Sequence, residues 1–417
     1  MRIQFPFVLF AITFAAIPSF GQLTLEACHT KARNNYPQIQ QYELIEKSLE
    51  YNLSNANKSY LPQLDVTVIG GVIAGLPSFS PGTESSSSAD LNMISILQLN
   101  QTIWDGGITK AKKGIIEAGS KMEKAEVEVS LFALEERVNN LFFGVLLIDE
   151  QIKQMEILKS TMLRNMNRVE IAVENGTAYK SDIDEIKVEV ININQRMQNL
   201  SSNRQAYLNV LSAMIGENVD EQLVLEKPTL DEGVLESSNR RPELILFQQK
   251  EELIQAQAAT NKAMLYPKFG ILGLGTFIQP GVDFGASKLN NIFVGGLSLN
   301  WNLNALYKNK NNKNLTDLNL QKVAVQRQTF LFNNNLELSQ SQVLLDKYKT
   351  LIEQDKEILE LKRSIKTAYD LKYENGVSTM SELLTKTNEE SVAQQNLITH
   401  EIQYLMEAYQ YLNKSGN

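Results

Sequence analysis

Few side chains in this chain could do covalent or metal chemistry. Its 417 residues include two histidines, His29 and His400, and one cysteine, Cys28. A catalytic triad or a histidine-based metal cluster needs several such groups at defined spacings, and these two histidines stand far apart. As the sole cysteine, Cys28 can make no intramolecular disulfide. It follows Leu25-Glu26-Ala27 rather than closing an apolar run, so it is a poor lipid-attachment site and reads as a small buried packing residue. Gly270, Gly273 and Gly275 form a fragment of a nucleotide-binding loop without the rest of its fingerprint. Carboxylates at Asp182 and Glu382 follow glycines Gly176 and Gly376 by the same six residues. On residue grounds they are solvated acids in the first turn of a helix, where the dipole favours them. Asp184 and Glu185 read as surface charges. These residues point away from an enzyme and imply no cofactor and no metal.

The organisation around them is repetitive. Asn35-Tyr36-Pro37 leads, 25 residues on, to Tyr60-Leu61-Pro62, and Arg240-Arg241-Pro242 leads, again 25 residues on, to Leu265-Tyr266-Pro267. Those copies are 205 residues apart. Leu97-Gln98-Leu99-Asn100 repeats as Leu297-Ser298-Leu299-Asn300, and Glu174-Asn175-Gly176 as Glu374-Asn375-Gly376, both at an offset of 200. Ordered landmarks at nearly one spacing indicate a duplicated half of about 200 residues. The repeats are expected at 22–225 and 226–417.

Residues 1–21 stand outside the repeat. Arg2 is their only charge, Phe5 to Ile17 is an apolar run, and Ser19 and Gly21 supply small residues at −3 and −1. This reads as a secretory signal peptide cleaved before Gln22. The formal charge is −8, and loss of the single positive charge at Arg2 makes it −9. An acidic chain with no Lys/Arg cluster argues against nucleic acid as a partner. No later segment holds 18 consecutive apolar residues, so no transmembrane helix is expected.

Each half predicts helix, strand, strand, long helix, turn, long helix. Leu23 to Ser59 has helix-forming composition with a break at Pro37. Leu64, Val66 and Val68 then alternate with Asp65 and Thr67. Strands are expected at about 64–74, 91–104, 268–278 and 291–303, with solvated loops at Pro77–Ala89 and Pro280–Asn290. Segments of this length can cross a bilayer as tilted strands. The helices carry a heptad seam. Val127, Leu131, Leu134, Val138, Leu141, Val145, Ile148, Ile152 and Met155 are spaced four and three alternately. Met162, Met166, Val169 and Val173 resume it. The residues from Gly107 to Val173 would make a helix of roughly 100 Å. Ile183, Ile186, Val190, Ile193, Met197 and Leu200 carry a second seam beyond the turn. Helical hairpins are therefore expected at about 107–216 and 305–414, with tips at 174–185 and 374–385. In the second half Asn334, Ser341 and Asp355 interrupt the frame, which suggests helices with water on one side. Four strands cannot close a barrel, and open edges are not tolerated in lipid, so copies of the chain must associate.

With these features in place the chain resembles the TolC family of outer-membrane channel proteins, over essentially all of its mature length. The resemblance is carried by Leu23-Thr24-Leu25-Glu26-Ala27-Cys28, the helix openings at Pro37 and Pro242, and the Tyr60-Leu61-Pro62 and Leu265-Tyr266-Pro267 motifs. Thr102-Ile103-Trp104-Asp105-Gly106-Gly107 resembles the family's passage from strand to long helix; Asn302-Leu303-Asn304-Ala305 is a copy lacking both glycines. The resemblance implies a mainly α fold with a membrane β-barrel portion, built as a homotrimer with a 12-stranded barrel and a coiled-coil tunnel. It implies a cell outer-membrane location in a Gram-negative bacterium, extending into the periplasm. It further implies a passive exit duct of a tripartite efflux or type I secretion system, with a periplasmic adaptor and an inner-membrane pump of RND or ABC type as partners. Asp182 and Tyr373 match positions that hold such a tunnel shut, and Glu382 matches an acidic ring at its constriction. Gly176 and Gly376 mark the adaptor-contacting tips. Ser378 and Thr385 depart from the family pattern, so any closed state lacks part of that network. Trp104 and Trp301 are expected in an aromatic belt at the membrane interface. The competing readings are a periplasmic adaptor and a non-conducting structural coiled coil.

Overall fold

A computed structural model of the chain describes residues 23–72, 91–219, 223–230, 240–279 and 290–416. The expected signal peptide and the loop at Pro77–Ala89 lie outside these residues, as does nearly all of the loop expected at Pro280–Asn290. The elements in order are α1 (Leu25–Asn35), a 3-10 turn (Pro37–Gln40), α2 (Gln41–Lys58), β1 (Gln63–Val72) and β2 (Leu91–Trp104). Then come α3 (Ile108–Glu174), α4 (Lys180–Ile215), α5 (Pro242–Ala263), β3 (Lys268–Gln279), β4 (Asn290–Asn300), α6 (Asn304–Glu374) and α7 (Met380–Ser415). The order helix, two strands, long helix, helix occurs twice. Helix starts and stops follow local chemistry. Thr24 Oγ1 caps α1 by accepting from Ala27 N at 3.2 Å, and Tyr36 leaves the helix because a proline follows it. Pro242 opens α5, where its missing N–H costs nothing.

The chain divides into two compact units that each draw on both sequence halves. The first comprises Met1–Tyr36, Leu134–Ser237 and Ser339–Asn413. Its main core joins Val138, Phe142, Phe143 and Val145 of α3 to Leu25, Cys28 and Ala32 of α1, Leu208 and Leu211 of α4, and Ile398 and Ile402 of α7. Asn35 Nδ2 donates to the carbonyls of Ala213 (3.0 Å) and Met214 (3.1 Å), satisfying two of the orphan acceptors at the end of α4. Cys28 is fully buried, and burial pushes its thiol up to about 12, so it is an inert packing group. A second core gathers Met155, Leu158, Met162 and Val169 of α3, Ile186 and Ile193 of α4, and Met380, Leu383 and Leu384 of α7.

The second unit comprises Pro37–Ala133, Ser238–Leu338 and Lys414–Asn417. It holds one antiparallel sheet in the order β1-β2-β3-β4. Leu64 pairs with Leu99, Leu97 with Gly275, and Gly275 with Phe293. Directly paired residues share a face. One face therefore reads Leu64, Val66 and Val68 on β1, Leu97 and Leu99 on β2, Phe269, Ile271 and Phe277 on β3, and Phe293, Leu297 and Leu299 on β4, with Ser95, Gln101 and Asn291 as its polar members. The other face mixes Asp65, Thr67, Gln98, Asn100, Thr276 and Ser298 with aliphatic residues.

The heptad frame is buried at Val127, Leu131, Leu134, Val138, Val145, Ile148, Met155, Met162 and Val169. Leu141 is only half-buried, while Phe142, Phe143 and Leu146 outside the frame are fully buried. Helix α3 has neighbours on more than one side, so one seam does not exhaust its core. Two expectations change. Asn334, Ser341 and Asp355 do not face water; all three are buried, and Asp355 pairs with His400 Nδ1 at 2.5 Å. A polar residue in a seam is tolerated when a facing helix brings its partner. Trp301 lies just beyond β4 rather than ending a strand, because Asn302 starts α6 there by accepting from Asn304 N at 3.2 Å.

The frame makes a direct prediction. Val138→Asp places a carboxylate in a fully buried site and should cost about 3 kcal/mol or more, while Glu136→Gln on the exposed face should change stability by less than about 0.5 kcal/mol. Thermal unfolding followed by circular dichroism measures both; equal losses would contradict the assignment of faces.

Candidate functional site

Two places in the chain hold residues that simple packing does not explain. The first is the apolar sheet face with its helix-side rim. Leu297 is 86% exposed, Phe293 69% and Val66 66%, so this face has no cover within the chain. A contiguous exposed patch of this kind marks an interaction with lipid or protein. At its rim Trp104 ends β2 and packs against Phe269 (centroids 5.8 Å) and Tyr266 (6.4 Å). Trp301 donates its indole N–H to Leu265 O at 3.0 Å. Both rings remain exposed.

The passage from β2 to α3 is built by Asp105, Gly106 and Gly107. Asp105 is buried and its carboxylate accepts from Gly107 N (2.9 Å), Thr109 N (2.6 Å) and Tyr60 OH (2.9 Å). The two glycines take φ of 71° and 89°, and a Cβ on Gly106 would lie 3.0 Å from Tyr266 Cβ. This explains why the motif contains Asp-Gly-Gly. The second passage uses Asn302 as its cap and needs no such turn.

The second place is the pair of helical tips, which belong to the first compact unit. Gly176 and Gly376 have φ of 74° and 69° with open space around them, so it is the conformation that requires glycine. Each ends its helix identically. Gly176 N donates to Val173 O and Thr177 N to Ala172 O; Gly376 N donates to Tyr373 O and Val377 N to Lys372 O. That is the Schellman arrangement. The next helices open with carboxylate caps. Asp182 Oδ2 accepts from Tyr179 N at 3.1 Å, and Glu382 Oε2 accepts from Thr379 N at 2.9 Å. Thr379 Oγ1 in turn accepts from Glu382 N at 3.2 Å, completing a capping box.

Between the tips stands a residue that the sequence reading missed. Arg168 of α3 donates to Asp370 (2.9 Å) and Glu374 (3.0 Å) of α6 and lies over the Tyr373 ring at 5.8 Å. Asp370 and Glu374 are four apart, on one helix face. An arginine flanking the apolar seam opposite two such acids is the usual inter-helix charge pattern. These groups are one-third or more exposed, so each ion pair contributes about 0–1 kcal/mol.

Tyr373 is half-buried against the second core. Burial raises its pKa, the Asp182 charge raises it further, and Arg168 opposes them. Asp182 and Tyr373 are thus within electrostatic reach, yet among the described residues no hydrogen bond joins them. The carboxylate of Asp182 is held by its own helix start. Glu382, Asp184 and Glu185 are exposed. A groove of about 500 Å³ runs between the openings of α4 and α7, lined by Ser181, Asp184, Glu185 and Glu189 on one side and Ser381 and Thr385 on the other. Among the described residues no group of three or more His, Cys, Asp or Glu could hold a metal ion, and no helix is long and apolar enough to cross a membrane.

At the level of sequence, no family model and no curated protein matches the chain. Solved structures do. The CmeC outer membrane channel of Campylobacter jejuni matches 94% of this chain and is covered over 85% of its own, with TM-score 0.64 and 14% identity. The chain has the TolC-type outer-membrane channel fold. The MtrE outer membrane channel of Neisseria gonorrhoeae, in its open state, matches with TM-score 0.64 and 14% identity over 94% of this chain and 88% of that one. The outer membrane protein VceC of Vibrio cholerae matches with TM-score 0.61 and 13% identity over 94% and 96%. Identities this low carry the channel fold alone, and leave each residue's role to be argued from its own surroundings.

For the tip of this channel fold the electrostatics give a signed prediction. Burial and Asp182 disfavour the phenolate, so folded Tyr373 holds its proton to higher pH than an unfolded tyrosine. The associated stabilisation is complete below the ordinary tyrosine range and is lost as pH rises through it and past the raised value. Asp182→Asn should move the titration of Tyr373 to lower pH, and Arg168→Gln should move it higher. Ultraviolet difference titration against Tyr373→Phe reads this single group; no shift in either variant would separate Tyr373 from both charges.

Proposed function

We propose that this chain is a TolC-family outer-membrane channel, a passive exit duct that performs no chemistry of its own. The apolar sheet face carries this reading. Four strands of 10 to 14 residues suffice to cross a tilted path through hydrocarbon, and Leu297, Phe293 and Val66 point their side chains out of the protein. The outer edges of β1 and β4 lack partners within the sheet, and lipid offers none. Edge pairing between copies removes the fault, and three copies give a closed barrel of twelve strands. The two halves, 22–225 and 226–417, are a duplication that supplies each copy with two hairpins of strands and two of helices. In the assembled channel the helices form a periplasmic tunnel.

The tips, with Gly176 and Gly376 at their turns, meet a periplasmic adaptor, and the groove beside Asp184 and Glu185 is the natural contact. An inner-membrane pump, RND or ABC in type, drives transport. Arg168, Tyr373 and Asp182 hold the tips together. Glu382, exposed at the opening of α7, lines the constriction. Trp104 and Trp301 sit at the periplasmic membrane interface. A non-conducting adaptor or structural coiled coil would have no use for an apolar four-stranded face.

The test is direct. Detergent-purified mature protein should have the mass of a trimer, and it should conduct in planar bilayers. A monodisperse monomer that still conducts would overturn the edge argument, and a folded trimer that never conducts would favour the structural reading. Glu382→Gln should lower cation selectivity, since a carboxylate ring concentrates counter-ions in a narrow pore. Tyr373→Leu and Arg168→Gln should each raise the resting conductance, and their combination should add less than the sum because both remove the contact of the Arg168 guanidinium with the Tyr373 ring. Unchanged selectivity and conductance would return these residues to plain helix capping and packing.

A further inference from the structure

The four helix-side ends of the strands lie at one end of the sheet, as the pairings Gln63 with Asn100, Trp104 with Phe269, and Lys268 with Asn300 require. The junctions there are residues 58–63, 104–113, 262–268 and 300–313. They contain nine lysines: Lys58, Lys110, Lys112, Lys113, Lys262, Lys268, Lys308, Lys310 and Lys313. The same stretches contain one acid, Asp105, which is buried and occupied by Tyr60, Gly107 and Thr109. A chain of net charge −8 thus concentrates unopposed positive charge at one rim.

Eight of the nine lysines are exposed and Lys113 is half-buried; none has an ion-pair partner among the described residues. Further along α3, Lys121 and Lys124 do reach acids, Glu252 at 4.0 Å and Glu46 at 2.8 Å. Helix stability does not explain Lys110, which stands in the first turn of α3, where the dipole disfavours a cation. Beside the rim lysines stand exposed apolar side chains: Ile103, Trp104, Trp301, Leu303, Leu306 and Tyr307. Aromatic rings next to ammonium groups, at the border of an apolar face, suit the headgroup layer of a bilayer.

We propose that this lysine collar binds the phosphates of anionic phospholipids in the periplasmic leaflet of the outer membrane, fixing the depth at which the sheet sits. The inference rests on the reading of the sheet as membrane-embedded. Its occupant is lipid rather than free phosphate, because the lysines are spread over four junctions along the rim instead of converging on one point.

The test reconstitutes the full mature protein into phosphatidylcholine vesicles and into vesicles that also contain phosphatidylglycerol. Wild type should partition about tenfold more strongly into the anionic vesicles, an advantage that fades with salt. A variant with all nine lysines changed to glutamine should still enter the neutral vesicles and lose that advantage, and Lys308, Lys310 and Lys313 to glutamine should lose part of it. Equal partitioning of wild type and variant would overturn the proposal. So would displacement of the lipid by inorganic phosphate, an unchanged lipid preference with altered ion selectivity, which would put the lysines in the duct, or cross-linking of the collar to a second copy with no lipid preference. Failure of folded wild type to enter any vesicle would instead overturn the channel reading, and the collar with it.

Discussion

In hydrocarbon every backbone amide and carbonyl must find its partner inside the protein. The sheet meets this condition between β1 and β2, β2 and β3, and β3 and β4, and leaves it unmet along the two outer edges. The same strands carry an apolar face that water would penalise. Among the described residues no fifth strand pairs with either edge. In the proposed assembly the two faults have separate remedies: neighbouring copies would pair the edges, and lipid would cover the apolar face. The constraint also sets the ends of the strands, since each must pass from an extended ladder into a helix within a few residues.

Those passages show how one backbone requirement is met by different residues. At the first, Asp105 takes three donors while Gly106 and Gly107 turn the chain through positive φ. At the second, Asn302 caps α6 without a glycine turn. The tips show the same economy of means. Gly176 and Gly376 end their helices with matching hydrogen bonds, but the following helices open differently, with Asp182 at one and the Thr379–Glu382 box at the other. The tip glycines keep their residue type in both halves, whereas the acceptors that open the following helices do not.

This distinction explains what was legible in the sequence. Glycines, prolines and strand alternation are local signals, so the element order, the helix-ending turns and the strand exit at Trp104 could be read directly. The apolar spacing of α3 gave the buried seam at Val138 and Val145. It did not give Phe142 or Phe143, because burial there comes from α1, α4 and α7 together, and one helix's period cannot report three neighbours. Arg168 escaped for the same reason. Its meaning lies in Asp370 and Glu374 on another helix, some two hundred residues away. The charge pattern of the seam flank was the one signal that could have found it. Cys28 was legible as a packing residue because it is the sole cysteine and does not close an apolar run.

The interruptions at Asn334, Ser341 and Asp355 were the harder case. Polar residues in a seam are ordinarily read as facing water, yet all three are buried. Asp355 takes its partner from the facing helix, as do its neighbours on α6: His400 for Asp355, Glu389 for Lys362 at 2.6 Å, and Gln394 for Arg363 at 2.7 Å, whereas Asn334 Nδ2 is buried with no hydrogen-bond partner among the described residues. The α3–α4 contact is filled instead by residues such as Phe142, Leu208 and Leu211. Apolar burial contributes roughly 1.5–3 kcal/mol per side chain, whereas a buried ion pair gains little over its desolvation cost. Both hairpins nevertheless combine the two kinds of contact: α3 and α4 also share the Arg204–Asp149 pair at 2.5 Å, and α6 and α7 also bury Leu359, Ala393 and Leu397 together, while Asp355 buried without His400 would be strongly unfavourable.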